Sequence, residues 1–290
     1  MSVDLWYPAT GPFDRDSLLD WIVGHAVPGL ERTDRETATT VRLLDVGRQV
    51  AVAARLEADG VRVRVEELAA PERRRLDELV RRWFDLADDP RVLDEPLGRD
   101  VLLADRVRAR PGLRVAVHPD GWQAALQTVI GQQVSLAAAR TLTGRLVAAF
   151  GGDGQGGLRT APTPEALLDA GEEVVRGAVR LTRARARTLL DLARACADGL
   201  RLAPGEDAAA VRERLVAVPG IGPWTVDYLS LRALGERDVF PASDLVLRRA
   251  AGIDDARALA RRAEAWSPVR ARAAGHLWAA AVSSPRAPGG

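Results

Sequence analysis

The spacing of apolar positions changes part-way along the chain. After Asp14–Asp16, residues Leu18 to His25 place apolar side chains at helical intervals, and the acids ahead of them suit a helix start. Segments 38–46, 49–57 and 61–65 then alternate or run in Val, Leu, Ala and Arg, with Gly47 and Gly60 at the turns; this pattern predicts antiparallel strands. Helical period returns from Pro71 to Leu86, with proline in the first turn, where its missing N–H costs nothing. Beyond Pro119 strand signals stop and helices dominate. Gly151 to Gly157 (GGDGQGG) predicts a surface loop, Pro162 and Pro164 open another helix, and Arg183–Gly199 forms the one after it. The expected fold class is α+β: a small N-terminal α/β domain with an antiparallel sheet over 1–112, a helical lobe over 113–230, and a C-terminal helical lobe over 231–290. No internal repeat is evident.

Composition narrows the chemistry. A chain of 290 residues can bury a large core and hold more than one domain. The formal net charge is only +1, so any affinity for nucleic acid must be local. All 41 basic residues other than histidine are arginine, which excludes a lysine Schiff base. A single cysteine, Cys196, excludes disulfides within the chain, cysteine-rich zinc sites and a four-cysteine iron–sulfur cluster. The histidines at 25, 118 and 276 make no metal-ligand spacing. No secretory signal or membrane-length apolar run is evident, so a cytoplasmic protein is expected.

The stretch from Leu215 to Arg249 carries most of the chemical signal. It predicts a helix end, a tight turn at Pro219–Gly220–Ile221–Gly222, a second helix, and a third helix opened by Asp244. Glycines at 220 and 222 allow a sharp turn and close approach to another molecule. Backbone N–H groups freed at the start of the next helix suit a phosphate. Trp224 and Tyr228, four apart, share one helix face. Each feature also has an ordinary explanation. The turn could join two helices and nothing more, Ser243 or Asp244 could serve only as an N-cap, and tryptophans often pack in cores, the reading preferred for Trp122 and Trp266.

Taken together, the PGIG turn and the downstream Asp244 resemble the helix-hairpin-helix DNA glycosylase superfamily. Trp224, Tyr228, the IGQQVS segment from Ile130 to Ser135, and Trp278 resemble its 3-methyladenine DNA glycosylase II branch. The resemblance extends over nearly the whole chain and is weakest in the first hundred residues. It implies a monofunctional enzyme of base excision repair that flips alkylated purines from duplex DNA and hydrolyses the N-glycosidic bond. Asp244 would be the catalytic carboxylate, and Trp224, Tyr228, Trp278 and Gln132 would contact the base. Pro219, Gly220, Ile221 and Gly222 would grip the DNA backbone, and Gln133 would enter the gap left by the flipped nucleotide. The carbonyls of Val216, Val218 and Ile221 would hold a monovalent cation, Na+ or K+. No organic cofactor is implied, and a monomer is expected.

Three departures matter. Ser243 stands where part of the branch has a second acid, Gln133 is polar where an apolar wedge is common, and Trp224 occupies the position that holds the attacking lysine in bifunctional relatives. Arg180, Arg183, Arg185 and Arg187 form a basic cluster suited to a solvated helix face or to phosphate contact. The alternatives are a catalytically silent DNA-binding protein built on the hairpin and a glycosylase for deaminated or oxidised bases.

Overall fold

The computed structural model describes residues 1–283. The chain opens with strand β1 (Ser2–Pro8) and helix α1 (Arg15–His25), followed by β2 (Glu31–Asp34), β3 (Thr39–Asp45), β4 (Gln49–Leu56), β5 (Gly60–Glu66) and helix α2 (Ala70–Trp83). The strands form one antiparallel sheet in the order β1-β5-β4-β3-β2. Val50, Val52, Ala54 and Leu56 of β4 and Val61, Val63 and Val65 of β5 all point to one buried face, the period-two alternation of a half-buried strand. Leu18, Leu19 and Ile22 of α1 and Leu76, Val80 and Trp83 of α2 join that core.

The alternating segments 38–46, 49–57 and 61–65 are the three central strands. The two edge strands were not legible from pattern. In β2 the inward residue is Glu31, which accepts from the Val27 N–H at 3.1 Å and lies 3.5 Å from Arg42, so a polar pair replaces the apolar alternation. In β1, Leu5 and Tyr7 face inward while Trp6 faces out, covered by Arg62 at 5.2 Å.

Short helices α3 (Pro90–Asp94) and α4 (Ala104–Ala109) lead to a run of helices: α5 (Gly121–Gly131), α6 (Leu136–Phe150), α7 (Pro164–Ala170), α8 (Glu172–Val179), α9 (Arg183–Ala197), α10 (Ala208–Val216) and α11 (Pro223–Leu229). α11 continues through a π-helical turn, Ser230–Leu234, and the chain closes with α12 (Leu245–Ala251), α13 (Ala256–Ala263) and α14 (Arg270–Ser283). Most of these helices start on a side-chain cap that satisfies a free N–H, such as Asp120, Ser135, Thr163, Thr182 and Asp207.

α5 to α11 share one apolar core. A third core joins Leu97 and Leu103, from the segment beside α3 and α4, to α12, α13, α14 and Trp266. Asp94 ties α3 to α14: it accepts from Arg272 Nε at 2.5 Å and Nη2 at 2.9 Å, and lies 2.9 Å from His276 Nε2. Among the described residues no helix is long and apolar enough to cross a membrane. Trp21 packs against both the sheet core and the third core, and beside it the surfaces of all three cores open into a cleft.

Candidate active site

The turn between α10 and α11 is a tight hairpin. Leu215, Val218 and Ile221 are buried and anchor it to the helical core, while Pro219, Gly220 and Gly222 are exposed. Gly220 has φ +87°, and a Cβ there would meet Thr188 Oγ1 at 2.0 Å, so both conformation and space require glycine. Gly222 is a different case: its φ is −98° and a Cβ would face open space. Neither φ nor space demands that glycine; it caps α11, a position glycine suits, and leaves the backbone bare and exposed. The Val218 carbonyl accepts from the Ile221 N–H at 3.1 Å, and no hydrogen bond from the described residues reaches the carbonyls of Val216 or Ile221. Carbonyl oxygens are the donor type that suits a hard cation.

α11 carries Trp224 and Tyr228 on one face, their rings stacked at 5.2 Å and 18°. Trp278, on α14, meets Tyr228 edge-on at 5.9 Å. Asp244 caps α12. Its Oδ1 accepts from the N–H groups of Val246 at 2.9 Å and Leu247 at 3.0 Å, and Oδ2 accepts from the Trp224 indole N–H at 2.9 Å. The Trp278 indole N–H reaches Oδ1 at 3.4 Å. Two indoles from different helices therefore aim their N–H groups at a single half-buried carboxylate. With both oxygens already accepting, this carboxylate is better suited to holding charge in place than to removing a proton from water.

The cleft enclosed by these residues measures about 420 Å³ and is mainly apolar. The structure brings Trp224, Tyr228, Trp278 and Asp244 together on its wall. Gln132 lies elsewhere: it caps α5, and its amide donates to the Gly220 carbonyl and to Thr225 Oγ1, both at 3.1 Å, so it braces the hairpin instead of facing the cleft. Gln133 is exposed and held at φ +57°. Of the basic cluster, Arg183 and Arg187 pair with Glu172 and Glu173, and Arg185 donates to the Gln132 carbonyl. Trp266 is fully buried with its N–H on Asp100 at 3.0 Å, and Trp122 donates to the Pro162 carbonyl at 2.8 Å.

Comparison with known proteins places this geometry. Residues 4–120 match the AlkA N-terminal domain, and residues 126–260 match the HhH-GPD superfamily base excision DNA repair protein model. DNA-3-methyladenine glycosylase 2 of Escherichia coli (strain K12) is 34% identical over 201 residues, covering 68% of this chain and 68% of that protein. The chain belongs to the HhH-GPD superfamily. A Mycobacterium tuberculosis protein named "Probable bifunctional transcriptional activator/DNA repair enzyme AlkA" is 37% identical over 287 residues, 96% of this chain; the chain spans only 57% of that relative's length. The solved 3-methyladenine DNA-glycosylase from Archaeoglobus fulgidus has the same fold, with a TM-score of 0.82 at 23% identity, covering 99% of this chain and all of that one.

Pattern alone did not single out two further residues of the cleft, on a wall that adjoins the first. α1 delivers Trp21 and His25, four apart on one helix face, into the cleft. Trp21 lies 5.5 Å from Trp278 and stacks on His25 at 4.1 Å, and the Arg232 guanidinium, held by the π-helical turn, sits 4.9 Å over the Trp21 ring. The useful sequence signal was modest: an aromatic and a histidine four apart near a helix C-terminus, where apolar residues would serve a plain core face.

Proposed function

We propose that this protein is a monofunctional DNA glycosylase that removes alkylated purines from duplex DNA and leaves an abasic site. The observation that carries the reading is the carboxylate of Asp244 fixed between Trp224 and Trp278 at the wall of an aromatic cleft. Alkylation at a ring nitrogen gives the base a positive charge. Such a base gains about 0.5–2 kcal/mol from cation–π attraction and about 1–3 kcal/mol from stacking. Its glycosidic bond is already weakened, so little acid assistance to the leaving base is needed. As that bond breaks, positive charge grows on the sugar, and the fixed carboxylate stabilises it.

The hairpin would bind the DNA backbone without reading sequence, through the N–H groups of Gly220 and Gly222, which donate to no acceptor among the described residues. A Na+ or K+ ion on the carbonyls of Val216, Val218 and Ile221 would stiffen this turn and add positive charge opposite a phosphate. Gln133, exposed on its left-handed turn, would fill the space vacated by the flipped nucleotide. Unstacking costs a few kcal/mol and least at damaged pairs, which contributes selectivity. The chain contains no lysine, so strand scission through a lysine Schiff base has no nucleophile. A monomer acting in the cytoplasm is sufficient for this scheme.

Base release from methylated duplex DNA, with and without alkali, tests the reading in wild type and in Asp244→Asn. Released alkylpurine, strand breaks only after alkali, and a variant slowed at least about a hundredfold are expected, the loss of an electrostatic stabiliser being worth about 3 kcal/mol. Binding of the duplex without any base release would show a silent DNA-binding protein instead.

A further inference from the structure

The N-terminal domain does more than support the helical lobes: through α1 it forms one wall of the cleft. His25, the last residue of α1, lies half-buried on that wall. Its Nδ1 is 2.8 Å from the Trp21 carbonyl, an acceptor, so Nδ1 carries the proton and Nε2 is left with its lone pair. Nε2 points at the Tyr228 hydroxyl 3.5 Å away. Tyr228 in turn stacks on Trp224, and Trp21 stacks on His25. One imidazole therefore touches both aromatic walls.

We propose that His25 is a positioning residue that sets base selectivity: as an uncharged acceptor behind Tyr228, it makes the cleft favour a positively charged purine over its neutral counterpart. The inference rests on the glycosylase reading for the class of ligand. The charged groups around this imidazole explain why it stays neutral. Arg232 and Arg140 approach it, while Tyr228, whose own ionisation is disfavoured by burial, remains a hydroxyl donor. Burial, then the nearby Arg232 charge, hold the His25 pKa down at about 3. A protonated imidazole would place a second cation beside Arg232 and repel the base; the neutral one accepts from the Tyr228 hydroxyl and leaves the Tyr228 ring richer in electrons, which strengthens its attraction for a cationic base. The hydroxyl of Tyr228, directed at His25, keeps the ring in place as a stacking surface.

The test separates binding from chemistry. A duplex carrying one 2′-fluoro-7-methyl-deoxyguanosine presents the cationic base with a glycosidic bond stiffened by the fluorine, and the same duplex with 2′-fluoro-deoxyguanosine presents the neutral one. Dissociation constants are measured for the full chain, for His25→Leu and for His25→Gln, whose amide oxygen can still accept from Tyr228; thermal melting checks that each variant folds. Wild type should favour the cationic duplex by about tenfold or more, His25→Leu should bring the ratio close to one, and His25→Gln should restore most of it. An unchanged ratio in His25→Leu, equal loss in both variants, or no wild-type preference would overturn the proposal. Base release from methylated DNA is read in parallel. A His25-dependent ratio without release leaves this inference standing and removes the glycosylase reading; release with a ratio indifferent to His25 does the opposite.

Discussion

On one wall of the cleft, Trp224, Asp244 and Trp278 come from three different helices and are joined by hydrogen bonds to a single carboxylate. On the other, Trp21 and His25 come from one helix lying on the N-terminal sheet, and the Trp21 indole N–H is buried without a partner. The first wall is fixed by hydrogen bonds to one carboxylate; on the second, His25 bonds to the Trp21 carbonyl and meets the Tyr228 hydroxyl, while the Trp21 ring itself is held by stacking and packing. Directional bonds hold the chemistry to a few tenths of an ångström, while stacked rings tolerate ligands of varied shape. If the cleft performs one reaction on a range of damaged bases, it benefits from having both.

The largest test of this contrast lies behind the polar wall, where Asp94 anchors α14 through Arg272 and His276. Asp94→Ala removes both hydrogen-bonded carboxylate oxygens from the buried Arg272 and leaves it only the Asp85 carboxylate at 3.9 Å, for which a loss of about 3 kcal/mol is expected. Denaturant unfolding measures it. Because α14 carries Trp278, the same variant should lose base release even at temperatures where it is folded. Activity at wild-type level in the folded variant would show that Trp278 does not depend on this anchor.

The polar wall was also the more legible one. PGIG, the Trp224–Tyr228 spacing and Asp244 lie within one short stretch, where the residues specify their own local geometry. The central strands were readable because Val50, Val52 and Val63 alternate against solvent-facing residues. β2 was hidden because Glu31 and Arg42 replace apolar residues with an ion pair that only pairing between strands brings together. Trp21 and His25 were hidden for the same reason: α1 is a visible helix, but its meeting with α11 and α14 spans some two hundred residues of sequence. Gln132 illustrates a subtler limit. Its motif position was clear, yet its side-chain direction is decided by the Gly220 carbonyl and Thr225.

The two hairpin glycines sharpen the polar side. Gly220→Ala forces a Cβ against Thr188 Oγ1 at φ +87° and should destabilise by about 2–3 kcal/mol. Gly222→Ala has an ordinary φ of −98° and free space, so melting should scarcely move. If the hairpin grips DNA, Gly222→Ala should nonetheless weaken duplex binding several-fold in a salt titration. Unchanged affinity would take the hairpin out of the interface.

A pH series examines the packed wall. The folded-state pKa of His25 is depressed to about 3, so the native protein resists a proton that the unfolded chain accepts near pH 6.5. Its contribution is intact above pH 6.5 and is lost as pH falls toward the folded value. At pH 5 the cost relative to pH 7 is about 2 kcal/mol from this group, and His118, also depressed by burial, adds to it in the same direction. His25→Gln should therefore lose less stability than wild type between pH 7 and pH 5, measured by unfolding at each pH. Parallel curves would show that the imidazole is open to protons in the native state.

The smallest and most direct comparison changes one indole on each wall to phenyl. Both substitutions remove the same atoms and leave an aromatic ring, so the packing losses largely cancel between them. Trp224→Phe also removes a 2.9 Å hydrogen bond to Asp244 Oδ2, a charge-assisted bond worth about 1.5–3 kcal/mol. Trp21→Phe removes an N–H that has no partner among the described residues, which relieves a desolvation cost instead of adding one. Trp224→Phe should thus be the less stable variant by at least about 1 kcal/mol in paired unfolding experiments. Equal losses would mean that the bond to Asp244 contributes no net stability, and the difference between a bonded wall and a stacked one would then lie in geometry alone.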